Sequence, residues 1–273
     1  MSLDNLLLGQ HTDYPQHYTP EVLFPIARAE GRAAVGVRSG QVLPFKGVDL
    51  WTHYEVSWLN LQGKPIVAAA EITVPATSPF LIESKSLKLY FNSLNFERFL
   101  DETAFQTRVE TDLSRVAGDV VKITLITPAH YAQLAVSDLA GICLDDLPLV
   151  CESFALNPET LQSQGAVVEE ALHSHLLRSL CPVTNQPDWG SVLIQYRGPA
   201  IDRLGLLAYL VSYRQHADFH EQCVERIFMD IQQRCRPESL TVYARYTRRG
   251  GLDINPFRST ERVAPESVRL FRQ

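Results

Sequence analysis

A thiol and a carboxylic acid stand seven residues apart in Cys181-Pro182-Val183-Thr184-Asn185-Gln186-Pro187-Asp188-Trp189-Gly190. A cysteine with thiolate character attacks electrophilic carbon, and a nearby acid delivers a proton to the charge that develops. The plainer alternative is a buried structural Cys beside an exposed loop Asp, since free Cys often packs as a small hydrophobe. Three further clusters carry charge. In Phe219-His220-Glu221 the Glu221 carboxylate can accept from two parallel N–H donors, as on the edge of a guanine-like base, or it can merely complement a helix dipole. Glu83-Ser84-Lys85-Ser86, with Lys88 beyond, reads as a solvated helix start with an N-capping Ser, or as an anion site made by Lys85 and the first free N–H groups. Arg248-Arg249-Gly250-Gly251 suits a phosphate or is a plain basic turn. Together they sketch a thiol, an acid, a reader of a base edge and two phosphate binders.

The elements around these clusters follow from turn and breaker residues. Pro182 and Pro187 exclude a helix or a central strand through the Cys181 loop. Asn185, Asp188 and Gly190 supply turn chemistry. Apolar, partly alternating stretches at 172–180 and 191–196 predict a strand on either side of a tight loop that carries both Cys181 and Asp188. Earlier, 50–59 and 66–74 predict a hairpin about Gln62-Gly63-Lys64-Pro65. Helix formers occupy 96–116 and stop at Gly118, followed by a short strand at 120–126. Residues 1–48 read as loop-rich. Past the Cys181 loop, helices are predicted over 201–215 and 219–234, then strands over 240–246 and 252–257.

Leu89-Tyr90-Phe91-Asn92-Ser93 and Ala208-Tyr209-Leu210-Val211-Ser212 share Tyr and Ser at one spacing, after two strands and before a longer helix. This is a ββαα(β) unit present twice, or chance similarity over five residues. The repeat predicts an α+β fold of antiparallel sheets with helices on one face. Pro128 and Leu144-Asp145-Asp146-Leu147-Pro148 read as the connection, giving modules at 1–145 and 146–273.

Composition bounds the function. A net charge of −6 argues against a general nucleic-acid surface. The start, Met1-Ser2-Leu3-Asp4, lacks the features of a signal peptide, and runs such as 206–211 are too short to span a bilayer. The five cysteines, Cys143, Cys151, Cys181, Cys223 and Cys235, form no C-x-x-C, so neither a disulfide framework nor a zinc ribbon is suggested. Free thiols fit the cytoplasm. No Rossmann, P-loop, zinc-protease or nucleophile-elbow motif is present.

The chain resembles the NADPH-dependent 7-cyano-7-deazaguanine reductases, the nitrile reductases of queuosine biosynthesis, in their long two-module form. The residues that carry the resemblance are Glu83-Ser84-Lys85-Ser86-Leu87-Lys88-Leu89-Tyr90, the Cys181 to Gly190 loop, Phe219-His220-Glu221-Gln222-Cys223 and Arg245-Tyr246-Thr247-Arg248-Arg249-Gly250-Gly251-Leu252-Asp253-Ile254-Asn255-Pro256. The resemblance implies tandem tunnelling-fold modules. It implies Cys181 as nucleophile and Asp188 as proton donor. Ile82, Glu83, Ser84, His220 and Glu221 should contact a deazapurine, and Ser84, Lys85, Arg249 and Gly250 should contact NADPH. Cys181 would add to the nitrile carbon while Asp188 protonates the nitrogen, giving a thioimide; two reductions would then lead through an imine to the aminomethyl product. The expected partners are the small-molecule deazapurine and a second copy in a homodimer, with no nucleic acid, no membrane and no metal. One rival is another tunnelling-fold enzyme acting on a purine or pterin, cyclohydrolase-like, whose metal-dependent members need a Cys/His ligand cluster that His220 and Cys223 alone do not complete. A tRNA-binding protein is the other, disfavoured by the acidic charge.

Overall fold

The computed structural model describes residues 13–133, 135–266 and 268–273. The opening Met1-Ser2-Leu3-Asp4 lies outside the described residues. The chain forms two compact units, each assembled from separated stretches. One comprises the chain up to Glu30, Asp49–Ala135 and Arg248–Asp253; the other comprises Gly31–Val48, Val136–Thr247 and Ile254–Gln273.

In the first unit, β1 (Pro25–Ala27) pairs antiparallel with β4 (Phe80–Ile82). The larger sheet holds β2 (Lys46–Leu59, from Asp49 on), β3 (Pro65–Pro75) and β5 (Lys122–Ile126) in the order β5-β3-β2. The predicted hairpin is present: Asn60 Oδ1 accepts from the N–H groups of Gln62 and Lys64, and Gly63 turns with φ +83°. Helices α2 (Ser84–Ser93) and α3 (Glu102–Ala117) cover the sheet. Asp101 caps α3 by accepting from the Ala104 N–H at 2.8 Å, and Gly118 ends it in the left-handed conformation. Phe105, Val109, Leu113 and Ala117 recur every fourth residue and are fully buried, with Phe105 stacked on Trp58 at 4.4 Å. Truncating Phe105 to Ala would cost about 3–5 kcal/mol.

The second unit is built on β9 (Pro187–Ile201), the longest strand. Antiparallel to it lie β7 (Ser163–Ser174), β10 (Ser239–Tyr246) and the short β8 (Arg178–Leu180). β6 (Ile142–Cys143) pairs parallel with β7, and β11 (Leu252–Ser259, from Ile254 on) pairs antiparallel with β10. Helices α4 (Arg203–Val211) and α5 (His220–Cys235) belong to this unit, and α5 buries Cys223, Val224, Ile227, Phe228 and Ile231. Buried Glu225 on α5 is satisfied by two guanidinium groups, Arg32 at 2.9 Å and Arg258 at 2.8 Å. Leu193, Tyr243 and Phe257 meet Leu139 and Leu270 in a separate apolar cluster.

The repeat has a structural basis beyond element order. In the first unit, Tyr90 of α2 donates to Asp112 of α3 at 2.8 Å; in the second, Tyr209 of α4 donates to Asp230 of α5 at 2.6 Å. Ser93 and Ser212 each donate back to the Tyr carbonyl three residues earlier, both at 2.6 Å. The shared Tyr and Ser therefore make the same bonds twice, and the α+β expectation of antiparallel sheets with helices is met.

Three element expectations are corrected. The stretch to residue 48 holds β1 and α1 (Arg28–Ala34), not loops alone. The strand expected over 172–180 breaks after Ser174, because the Asp145 carboxylate takes the His175 N–H at 3.1 Å and removes it from the ladder. The strand after the Cys181 loop begins at Pro187 instead of 191, so Asp188 is a strand residue; proline is tolerated there because a first strand residue can lack an N–H.

Candidate active site

In the second unit the thiol opens a closed turn, and the acid follows it as the second residue of β9. The Cys181 N–H donates to the Gln186 carbonyl and the Asn185 N–H donates to the Cys181 carbonyl, both at 3.0 Å. Asn185 takes φ +54°, a left-handed geometry that Asn tolerates better than most residues. The residue before the thiol is held from outside the turn: the Leu180 N–H donates to His216 O at 2.8 Å, and its carbonyl accepts from the Asp218 N–H at 3.1 Å. Cys181 is 3% exposed and Asp188 5%. Asp188 sits opposite Ser179 where β8 and β9 pair.

Helix α5 adds the remaining groups of this half. His220, its first residue, places Nε2 3.4 Å from Asp188 Oδ1. That nitrogen is buried and makes no hydrogen bond among the described residues. Its ring lies 4.0 Å from the Tyr246 ring. Glu221 follows in the first turn of α5 and is buried. Behind Asp188, burial pushes the Tyr246 hydroxyl and the Cys223 thiol well above their ordinary ranges, and the charge of Asp188 adds to both shifts. Both groups stay protonated at neutral pH. Sequence reasoning gave neither Cys223 nor Tyr246 a place beside Asp188.

The first unit gathers the other two clusters. Glu83 caps α2 with its own carboxylate, accepting from the N–H groups of Lys85 at 2.8 Å and Ser86 at 2.6 Å. This corrects the expectation of an N-capping Ser and of free N–H groups for an anion: Ser84 is the first helical residue, and Glu83 occupies two of the donors. Burial raises the Glu83 carboxyl above its ordinary range, while the two N–H groups and then Lys88 and Lys85 act against that rise. Each carboxylate oxygen keeps a further lone pair for another donor. Ile82 is buried at the end of β4, and Ser84 and Lys85 are half-buried.

Lys88, one turn on, runs beside the Arg248 to Gly251 turn. A Cβ on Gly250 would lie 3.4 Å from Lys88 Cε and 3.6 Å from its Nζ. Gly250 and Gly251 both take positive φ, +61° and +77°, which keeps the backbone bare at this point. The turn is pinned to β2: the Tyr54 N–H donates to Gly251 O at 2.8 Å, and Asp253 accepts from the Tyr54 hydroxyl at 2.7 Å. The Arg248 guanidinium covers the Tyr54 ring at 4.7 Å, and the Arg249 N–H donates to Leu252 O at 2.9 Å. Buried His53, between Thr52 and Tyr54 on β2, is pushed down to about 4 by burial and then by the Lys88 charge. The turn thus sets two arginines and a bare glycine pair beside Lys88, groups whose chemistry suits a phosphate. His53, Tyr54 and Asp253 carried no signal in the sequence, because only the pairing of distant strands brings them here.

Comparison with known proteins yields three findings. The family model described as "Nitrile reductase, 7-cyano-7-deazaguanine-reductase N-term" matches residues 14–125, and that described as "QueF-like protein" matches residues 187–265. Curated proteins named NADPH-dependent 7-cyano-7-deazaguanine reductase, from Bordetella pertussis and Bordetella parapertussis, are each 52% identical over 275 residues, covering 100% of both chains. A solved structure, the archaeosine synthase QueF-Like in the apo form, aligns with TM-score 0.31 and 15% identity over 35% of this chain and 94% of its own.

Proposed function

Because the chain belongs to the 7-cyano-7-deazaguanine reductase family, we propose that it is an NADPH-dependent oxidoreductase that reduces the nitrile of 7-cyano-7-deazaguanine to the aminomethyl group. The observation that carries this reading is the pair of buried groups, Cys181 opening the hydrogen-bonded turn and Asp188 on the strand that leaves it. A nitrile carbon is a weak electrophile, and a thiolate held next to a proton donor is what activates it.

The chain's own residues then act in order. Cys181 Sγ bonds to the nitrile carbon as Asp188 gives a proton to the nitrogen, so a neutral thioimide forms. His220 keeps the Asp188 carboxyl oriented and, with Glu221 and Glu83, reads the edge of the deazapurine; Ile82 and Ser84 complete its seat. The His220 Nε2 that makes no hydrogen bond within the described residues supports a ligand partner at that atom. Ser84, Lys85, Arg249 and Gly250 hold the cofactor through its phosphates. NADPH, when bound, supplies the hydride for each of the two two-electron reductions. Between them the carbon–sulfur bond breaks, Cys181 leaves as thiolate and an imine remains, which the residues must shield from water.

We keep the module boundary at 145/146, in the stretch between the two family-model matches, while the compact units divide at 135/136 and exchange short stretches. The same reading places the protein in the cytoplasm, as a homodimer, in the queuosine pathway of tRNA modification. Among the described residues no helix is long and apolar enough to cross a membrane. The direct test is to mix the protein with 7-cyano-7-deazaguanine and NADPH and follow cofactor absorbance. Two NADPH should be consumed per substrate; no consumption would rule the assignment out.

A further inference from the structure

We propose that Cys143, His173 and His175, away from the reductase residues, bind a divalent transition metal of the zinc class. The three ligand atoms lie within 4.8 Å of one another. Cys143 faces His173 where β6 and β7 run parallel. His175 lies just past the end of β7, with its ring 5.3 Å from that of His173. Around tetrahedral zinc the ligand atoms stand about 3.3–3.6 Å apart, from Zn–S near 2.3 Å and Zn–N near 2.0 Å. Binding would need rotation of the exposed Cys143 side chain and small adjustments of the two rings to close that difference.

The surrounding backbone is built to bring these residues together. Gly141 takes φ +87°, and a Cβ there would lie 2.0 Å from Ala171 O, so only glycine allows β6 so close to β7. The Leu144 N–H donates to His173 O at 2.9 Å. Asp145 accepts from Ser174 Oγ at 2.6 Å and from the His175 N–H at 3.1 Å. The segment that carries Cys143 is thus clamped on both sides of the thiol.

The imidazoles are oriented as ligating histidines usually are, with one nitrogen engaged by a neighbour. His173 Nδ1 is 3.0 Å from Ala140 O; a carbonyl only accepts, so Nδ1 carries the hydrogen and Nε2 keeps its lone pair. His175 Nδ1 is 2.8 Å from Ser191 Oγ, which accepts from Arg272 Nη2 at 2.8 Å; in the tautomer where Nδ1 donates to that oxygen, Nε2 is left for a metal. One thiolate and two imidazoles select zinc or cobalt over magnesium or calcium. Three protein ligands leave the fourth position to solvent. Bound there, the metal would clip the segment around 140–145 to β7. The proposal departs from the expectation of a protein without metal; the His-x-His at 173 and 175 was passed over in the sequence, because Cys143 joins it only through strand pairing.

The test uses the tag-free full chain, stripped with a chelator and titrated with Co2+, then with Zn2+. One Co2+ per chain should bind with tetrahedral visible bands and a near-ultraviolet thiolate band, and Zn2+ should displace it. Cys143→Ser should lose the thiolate band, Cys181→Ala should keep it, and His175→Gln should weaken binding by at least about 10-fold, taking the effect of a supporting residue as a lower bound. Circular dichroism verifies that each variant is folded. Zn2+ should also raise the Tm of wild type and not of Cys143→Ser. Absence of a tetrahedral cobalt spectrum overturns the proposal, as does a spectrum untouched by Cys143→Ser or one lost in Cys181→Ala.

Discussion

His220 Nε2 stands 3.4 Å from Asp188 Oδ1, and the His220 ring rests 4.0 Å from the ring of Tyr246. The distance is long for a good hydrogen bond, so the contact orients Asp188 without saturating His220. His220→Ala should leave the fold intact, because the residue opens a helix and lies outside the apolar face of α5. It should weaken deazapurine binding and slow adduct formation by about 10-fold or more, less than loss of the proton donor itself. Rapid-mixing measurement of the adduct, alongside substrate affinity, checks this. An unchanged rate and affinity would reduce His220 to a helix-start residue.

Glu221 is buried in the first turn of α5. If it accepts from two ring N–H groups, Glu221→Ala leaves them unpaired in a closed site and should cost about 2–4 kcal/mol of substrate binding. Calorimetric titration reads this directly, and an affinity within a factor of two of wild type contradicts the role.

Arg249 lies on the turn whose glycine backbone passes beside Lys88. Arg249→Ala should raise the KM for NADPH well above any change in deazapurine affinity. Equal losses for both ligands would indicate general damage to the turn instead of a missing phosphate partner.

His53 gives a test by pH. Its folded value is about 4 against 6.5 ordinarily, so above 6.5 both folded and unfolded chains hold it neutral. Between those values the unfolded chain binds a proton that the folded chain refuses, and stability falls as pH falls. The loss reaches about 3 kcal/mol by pH 4. Urea unfolding from pH 8 to pH 4 should show a flatter profile for His53→Asn, which keeps an acceptor for the Glu55 N–H that His53 Nδ1 now receives at 3.2 Å. Parallel profiles would place the titrating group elsewhere.

What could be read in the sequence depended on whether a residue's meaning is local. Pro182, Asn185 and Pro187 fixed a turn because their backbone preferences act within a few residues. Tyr90 and Tyr209 marked the repeat because each makes the same bond to an aspartate on the following helix. Glu83 misled: an acidic cap looks the same in sequence as a solvated residue before a serine. The start of β9 at Pro187 was missed because proline usually stops a strand and here begins one. Lys88 beside Gly250 was beyond reach, since no local rule joins residues so far apart. The roles given to the charged clusters came from the resemblance and not from spacing, which left each with a plain alternative.

The central claim is that Cys181 bonds to the substrate and Asp188 protonates it. Intact-protein mass spectrometry with 7-cyano-7-deazaguanine and no NADPH reports the adduct directly. Wild type should gain the mass of one substrate per chain. Asp188→Ala should form the adduct and turn over about 10²–10⁴-fold more slowly. Cys181→Ala should gain no mass while still binding substrate. An adduct that persists in Cys181→Ala would move the nucleophile to another cysteine and contradict the account.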